Sequence, residues 1–177
     1  MAESQSTGAR SGSKLLAIVL LAACLSPAAP AATIILVRHA ERSSAMSADA
    51  PLSAAGEERA RQLSHLLKDA NIRRIYVTEV RRTQQTAEPL AARLHLKPIV
   101  IAQKNVNELI DQLRGLSEDE TVLVVGHATT VPLIVQRLGG GSAPPMADTE
   151  YDRLTVLFHP RSGKGSVLIL RYGKSTE

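Results

Sequence analysis

The stretch that decides the fold is ILVRHAER, from Ile35 to Arg42. Its apolar half belongs to TIILV (residues 33–37), a continuous β-branched run that predicts a strand buried on both faces of a parallel sheet. The run stops abruptly at Arg38 and His39. Charged side chains directly after a buried strand are either a solvated strand end or part of a site.

A second predicted strand ends in the same way. TVLVV (residues 121–125) is equally apolar and runs into Gly126 and His127. In an open parallel sheet, ligands bind beyond the carboxyl ends of the strands, near the point where the strand order reverses. If the two strands are neighbours, His39 and His127 therefore lie at one rim of the sheet.

A third polar segment, TEVRRTQQTAEPLA (residues 78–91), follows the predicted strand RIYV (residues 74–77). It places Arg82 near the start of a helix, where free backbone N–H groups and the helix dipole favour an anion. Arg81 is expected to be solvated. The residues after Arg82, TQQ (residues 83–85), are expected to add hydroxyl and amide donors to the same site.

Strand and helix patterns alternate along most of the chain. The remaining elements are predicted as helices over residues 53–70, 83–94, 107–116 and 130–138, a strand over 98–101, and a closing hairpin of residues 154–158 and 166–172. Ser53 is the expected N-cap of the first helix. This order predicts an α/β protein, a three-layer sandwich with a mostly parallel sheet, helices on both faces and an antiparallel edge.

The composition limits the classes of function. The 177 residues, 44% hydrophobic and 21% charged, suit one soluble domain. A single Cys excludes a disulfide framework and a thiolate cluster, and the five His are scattered, so neither a metal nor another cofactor is expected. The net charge of +4 with 2% aromatic residues argues against nucleic-acid binding and suits a small anionic ligand.

Residues 1–32 are predicted to be an export signal and linker, which leaves residues 33–177 as the single domain. Arg10 and Lys14 precede the apolar run LLAIVLLAACL (residues 15–25), and small residues follow it. Eleven apolar residues are too few to span a membrane, because a transmembrane helix needs roughly 20. The protein is therefore expected to be exported, with a periplasmic location.

Two processing routes fit this segment. LAAC (residues 21–24) resembles the bacterial lipoprotein box, in which lipidation of Cys24 would tether the protein to a membrane. APA (residues 29–31) instead resembles a site for the ordinary signal peptidase. The lipoprotein route explains why the only Cys of the chain lies at this position, but both routes stay open, as does the oligomeric state.

The motifs together resemble a known family. ILVRHAER resembles the arginine-histidine signature of the histidine phosphatase superfamily, which includes cofactor-dependent phosphoglycerate mutases, acid phosphatases and bacterial phosphohistidine phosphatases. LSAAGEERARQL resembles the helix after the first loop, VRRTQQTAEPLA the second-arginine motif and VLVVGHATTVP the second-histidine motif. All four occur in the family's order and cover about residues 33–138. The resemblance implies a phosphoglycerate mutase-like fold.

The resemblance also implies a mechanism. His39 would be the nucleophile that forms a covalent phosphohistidine, and Arg38, Arg82 and His127 would bind the phosphoryl oxygens without a metal. The substrate would be a small phosphomonoester or a phosphohistidine protein. The alternative is a phosphate-binding or interaction module that keeps this pocket and has lost turnover.

Some residues depart from the family pattern. Ala40 stands where Gly usually follows the first His, and Thr78-Glu79 stands where Ser-Pro is usual. The general acid that protonates the leaving group is not in either of its usual places, after the third strand or directly after His127. Glu41 and Glu108 are the candidates, and a site without an acid is the third option.

The loops and the C-terminal part give weaker indications. Only short loops, around residues 43–51 and 139–151, are available to cover the site, which argues against a mutase because that reaction needs a closed pocket. YDRL (residues 151–154) resembles a stretch of small family members, and only a packing role is expected for it.

Overall fold

The computed structural model describes residue 1, residues 31–44 and residues 47–176. Its strands are β1 (Ala31–Arg38), β2 (Ile72–Val77), β3 (Ile99–Val100), β4 (Thr121–Gly126), β5 (Arg153–Pro160) and β6 (Ser166–Arg171). Its helices are α1 (Ala54–Leu67), α2 (Arg81–Leu94), α3 (Val106–Arg114) and α4 (Thr130–Arg137), and a 3-10 turn (Gln103–Asn105) precedes α3. The predicted signal segment with Cys24 lies outside the described residues, apart from its ends.

The six strands form one sheet in the order β3-β2-β4-β1-β5-β6. The first four are parallel, and β5 and β6 add an antiparallel edge. The predicted α/β sandwich with a mixed sheet is confirmed. The central strands β1 and β4 are adjacent, with Arg38 opposite Gly126, so the two chain segments that follow them leave the sheet side by side.

The core consists of two layers because successive side chains of a strand point to opposite faces of the sheet. Ile34 and Leu36 of β1 are buried in the layer that contains α3 and α4, whereas Ile35 and Val37 are buried in the layer that contains α1 and α2. This explains the continuous apolar run of β1, which is covered on both faces.

The helix boundaries differ from the sequence prediction by a few residues. Ser53 is the N-cap of α1, as predicted, with its Oγ accepting a hydrogen bond from the Gly56 N–H at 3.2 Å. The helix ends at Leu67, before the predicted residue 70, and Asn71 takes a left-handed backbone conformation with φ 52°. Helix α2 begins two residues earlier than predicted and runs without interruption through Pro89. No helix in the described part of the chain has the length and apolarity needed to cross a membrane.

Gly56 allows the first turn of α1 to contact the segment after β1. A Cβ atom at this position would overlap the carbonyl oxygen of Glu41, a backbone atom that has little room to move. The Ser53 N–H donates to that same oxygen at 2.9 Å. The glycine of LSAAGEE thus holds α1 directly against the loop that carries the arginine-histidine motif.

Candidate active site

The ends of β1 and β4 bring His39 and His127 together. The His39 N–H donates to the Gly126 carbonyl at 2.9 Å, which extends the parallel pairing one residue beyond β1. The two imidazole rings then meet edge to face, with centroids 5.4 Å apart. Both residues are buried, at 4% and 5% exposure, so they line the floor of a site and are not part of a solvated strand end.

The ring of His39 is oriented by the next residue. Its Nδ1 lies 2.8 Å from the Ala40 carbonyl oxygen, which can only accept, so Nδ1 carries the proton and Nε2 presents a lone pair. Burial lowers the pKa of His39 to about 3, and the charges of Arg38 and Arg82 act in the same direction. The imidazole is therefore neutral at neutral pH and can act as a nucleophile without first losing a proton.

His127 is held from two sides. Its Nε2 lies 3.1 Å from the Thr78 hydroxyl, and its backbone N–H donates to the Thr130 hydroxyl at 2.9 Å. Burial, followed by the charge of Arg82, lowers the pKa of His127 to about 4. The ring is thus neutral near pH 7. Thr78, which departs from the family pattern, retains a hydroxyl at this contact.

Arg38 is held by the loop that precedes β5. Its Nη1 donates to the carbonyl oxygens of Ala147, Asp148 and Glu150 at 2.8, 2.9 and 3.2 Å. The ring of Tyr151 lies over the guanidinium, with Cζ 4.2 Å from the ring centroid. The Nε–H of Arg38 is buried and has no partner among the described residues.

Arg82 occupies the first turn of α2 and has a similar arrangement. Its Nη1 donates to the Ala48 carbonyl oxygen at 2.7 Å, which ties the helix to the loop after β1. Its Nε–H is buried and also lacks a partner among the described residues. The Thr86 hydroxyl completes the link, since it accepts from the Ala40 N–H at 2.9 Å and donates to the Arg82 carbonyl at 2.7 Å.

The two Nε–H groups indicate what the site can bind. Buried polar groups almost always have a hydrogen-bond partner, and each exception requires an explanation. Arg38 and Arg82 both act electrostatically on His39, so two cations with unpaired donors lie near the nucleophilic ring. An anion with several oxygens would satisfy both donors.

Tyr151 is a site residue that sequence reasoning missed. Its ring lies 6.0 Å from the His39 ring, centroid to centroid, in addition to its contact with Arg38. The Thr176 hydroxyl holds it in place by accepting from the Tyr151 N–H at 3.0 Å. The packing role expected for YDRL was therefore incomplete, and only its family resemblance could have drawn attention to it.

The two general-acid candidates are corrected by the structure. Glu41 receives hydrogen bonds from Nε and Nη2 of Arg59 at 2.8 to 3.0 Å, so both of its carboxylate oxygens are engaged in an ion pair within the fold. Glu108 is exposed on α3 and accepts from the Asn105 side chain at 3.2 Å. None of these contacts directs either carboxyl group to the His39 site.

The side chains expected to supply extra donors after Arg82 make contacts within the fold. The Thr83 hydroxyl donates to the Val80 carbonyl, and the Gln84 side chain donates to the Glu79 carbonyl. The Gln85 side-chain oxygen accepts from the backbone N–H of Leu52. These side chains fix the start of α2 and the loop that precedes α1, and none of these contacts points to a ligand.

Within residues 31–44 and 47–176, no group of three or more His, Cys, Asp and Glu side chains is arranged to hold a metal ion. A reaction independent of metals and cofactors stays a prediction from the sequence.

The sequence matches the family model "Histidine phosphatase superfamily (branch 1)" over residues 34–104. The match includes the arginine-histidine and second-arginine motifs, and it confirms the resemblance to the histidine phosphatase superfamily. No curated protein sequence matches the chain significantly.

Solved structures with the same fold include several phosphatases. The protein histidine phosphatase SixA, complexed with tungstate, superposes with a TM-score of 0.65 at 23% identity and covers 78% of this chain and 96% of its own. A mycobacterial glucosyl-3-phosphoglycerate phosphatase gives 0.61 at 14% identity, covering 80% and 99%. The phosphoserine phosphatase of Entamoeba histolytica gives 0.59 at 14%, covering 81% and 98%. At these identities the likeness establishes the fold.

Proposed function

We propose that this protein is a metal-independent phosphatase that hydrolyses a phosphomonoester or a phosphohistidine through a covalent intermediate on His39. The supporting observation is the pair of buried, unpartnered Nε–H groups of Arg38 and Arg82 beside a histidine whose Nε2 lone pair is free. The phosphatases that share the fold, SixA among them, are consistent with this reaction class.

In the first step, His39 Nε2 attacks phosphorus in line with the leaving group. The N–P bond forms while the bond from phosphorus to the leaving atom breaks. Arg38 and Arg82 hold the equatorial oxygens, because a guanidinium is permanently charged and its planar donors match the geometry of phosphoryl oxygens. Water then attacks the phosphohistidine, and inorganic phosphate and neutral His39 are released.

His127 contributes a change of protonation state. Among the protein groups alone its pKa is about 4, because burial disfavours the imidazolium. A phosphoryl dianion in contact with the ring favours the imidazolium and raises this pKa. His127 therefore becomes a charged donor to a phosphoryl oxygen only when substrate is bound, and charge develops where the transition state needs it.

Replacement of the nucleophile tests the reaction. We expect His39→Ala to abolish hydrolysis of an activated aryl phosphate while the circular dichroism spectrum is retained, and His65→Ala, an exposed histidine of α1, to leave the rate unchanged. Incubation with a labelled activated phosphate and an alkaline quench should give acid-labile label on the wild type and none on His39→Ala. Full activity in His39→Ala would overturn the mechanism.

The same labelling experiment decides the alternative of a binding module without turnover. That alternative is favoured by the ion pair between Glu41 and Arg59, which removes one candidate acid. It predicts phosphate binding in wild-type calorimetry, weaker binding in Arg38→Ala, and no label on His39. Turnover together with label on His39 would exclude it.

We further propose that the protein is exported to the periplasm, either tethered through a lipidated Cys24 or released after residues 29–31. The support is the sequence of residues 1–32 alone. Cell fractionation tests it. We expect membrane-associated protein that becomes soluble in Cys24→Ser if the lipoprotein route is used, whereas retention of the intact N-terminus in the cytoplasm would contradict export.

A further inference from the structure

The proposed phosphatase reaction lacks a proton donor for the leaving group, and the acidic residues that act on the site are few. Asp148 acts electrostatically on Arg38, and Asp49 acts on Arg82. Glu79 acts on both Arg82 and His127. Of the carboxylates named here, Glu79 is therefore the one that lies near two of the groups expected to bind the phosphoryl oxygens.

The backbone places Glu79 next to a residue that contacts the second histidine. It follows Thr78, whose hydroxyl lies 3.1 Å from Nε2 of His127. The side chain of Gln84 donates to the Glu79 carbonyl at 2.9 Å, which fixes the peptide at the start of α2. The side chain of Glu79 is exposed, at the rim of the site.

The carboxylate of Glu79 is held at one oxygen. Its Oε2 accepts a hydrogen bond of 2.8 Å from the Gln103 N–H, at the 3-10 turn after β3. Its Oε1 has no partner among the described residues. Asp49 lacks this arrangement at the second histidine, since its Oδ1 accepts from the Arg81 N–H on the outer side of α2.

We propose that Glu79 is the general acid and base of this enzyme, an inference that rests on the phosphatase function proposed above. As His39 Nε2 bonds to phosphorus, protonated Glu79 gives its proton to the leaving oxygen and the P–O bond breaks. The carboxylate then takes a proton from the attacking water while the new P–O bond forms and the N–P bond breaks. Glu79 is protonated again at the end of the cycle.

A series of aryl phosphates tests the assignment, because a leaving group of higher pKa depends more on protonation. The series runs from nitrophenyl phosphate through phenyl phosphate to methoxyphenyl phosphate. Glu79→Gln retains the size of the side chain and an oxygen for the Gln103 N–H. We expect it to lower kcat/KM, which reports formation of the phosphohistidine and not its hydrolysis, less than about 3-fold for nitrophenyl phosphate and about 100-fold for the poorest leaving groups, within the usual range for general acid catalysis.

The matched control is Glu108→Gln, an exposed acidic residue of α3, for which we expect the wild-type dependence on the leaving group. Equal losses across the series, or no loss, in Glu79→Gln would overturn the assignment of Glu79. The label on His39 distinguishes a wrong assignment of Glu79 from failure of the proposed phosphatase function. If Glu79→Gln still forms label but the slope is unchanged, only the role of Glu79 is overturned. If the wild type forms no label, both proposals are overturned.

Discussion

The ring of Tyr151 lies over the guanidinium of Arg38, with Cζ 4.2 Å from the ring centroid. The residues are far apart in sequence, and the contact is formed because the loop before β5 folds back over the end of β1. The same loop supplies the three carbonyl oxygens that accept from Nη1 of Arg38. The position of the first arginine therefore depends on the C-terminal part of the domain.

We expect Tyr151→Ala to lower kcat/KM for an aryl phosphate about 10-fold. A cation–π contact contributes roughly 0.5 to 2 kcal/mol, and its loss frees the Arg38 guanidinium to leave the productive position. Tyr151→Phe keeps the ring and should stay close to wild type. Steady-state kinetics measures both variants. Equal losses in the two variants would mean that the activity depends on the hydroxyl group of Tyr151 and not on its ring over Arg38.

Arg82→Lys should lower kcat/KM by about 100-fold, in the range seen when one donor to a developing charge is lost. Arg82 bonds to the Ala48 carbonyl through Nη1 while its Nε–H stays unpaired. A lysine has one nitrogen and cannot occupy both positions. The control is Arg81→Lys, the exposed neighbour, for which wild-type kinetics are expected. A similar loss in both variants would indicate a general effect of charge at the start of α2.

The two buried histidines should make stability depend on pH. Their folded-state pKa values, about 3 for His39 and about 4 for His127, lie below the ordinary value of 6.5, chiefly because of burial. Between these values the unfolded chain binds protons that the folded chain does not, so the free energy of unfolding decreases as pH falls from about 6.5 towards 4. Arg38 and Arg82, which face both rings, strengthen the effect.

Thermal unfolding in phosphate-free buffer at pH 7.5 and pH 5 measures this dependence. We expect the double variant His39→Asn/His127→Asn to lose less stability than the wild type over this interval, because it lacks both buried imidazoles. His65→Asn, at an exposed position, serves as the control and should keep the wild-type difference. Identical pH dependence in the double variant would show that other groups determine it.

The ion pair between Arg59 and Glu41 should be structural. The side chain of Arg59 is 3% exposed and that of Glu41 20%, and Arg59 also donates to the carbonyl oxygens of Tyr172 and Lys174. Its removal leaves a mostly buried carboxylate without its partner. We expect Arg59→Ala to lower the free energy of unfolding by about 3 to 5 kcal/mol in a denaturant titration.

The same helix provides the control for this prediction. Arg61 pairs with Glu58 on the surface of α1, where the two side chains are 59% and 54% exposed. Exposed pairs contribute less than about 1 kcal/mol, so Arg61→Ala should change stability little. If both variants lost the same stability, burial of the Arg59 pair would not be the cause.

Sequence reasoning predicted the elements whose patterns are long and regular. The apolar runs of β1 and β4 and the periodic helices α1 and α2 were placed within about three residues, because burial imposes a regular spacing on the side chains. His39 and His127 could be assigned to one rim since parallel strands end at the same edge. Arg82 could be assigned because it lies in the first turn of a helix.

Side-chain partners that depend on how loops and helices pack were not predicted. Glu41 looked like a candidate acid because it is close to His39 along the chain, but its neighbour in the structure is Arg59 of α1. Tyr151 showed no pattern of its own, and Glu79 looked only like a departure from the family motif. Their surroundings come from the packing of loops and helices, which no local spacing encodes.

The sequence by itself determined the order of strands and helices and the residue types that can bind and attack a phosphoryl group. Local burial and helix geometry are sufficient for that, because they depend on neighbours within a few positions of the chain. Only the tertiary structure decided how these groups are used. It paired Glu41 with Arg59, placed Tyr151 over Arg38, and left the Nε–H groups of Arg38 and Arg82 unpaired beside His39. These outcomes depend on which distant segments meet, and therefore on the whole fold.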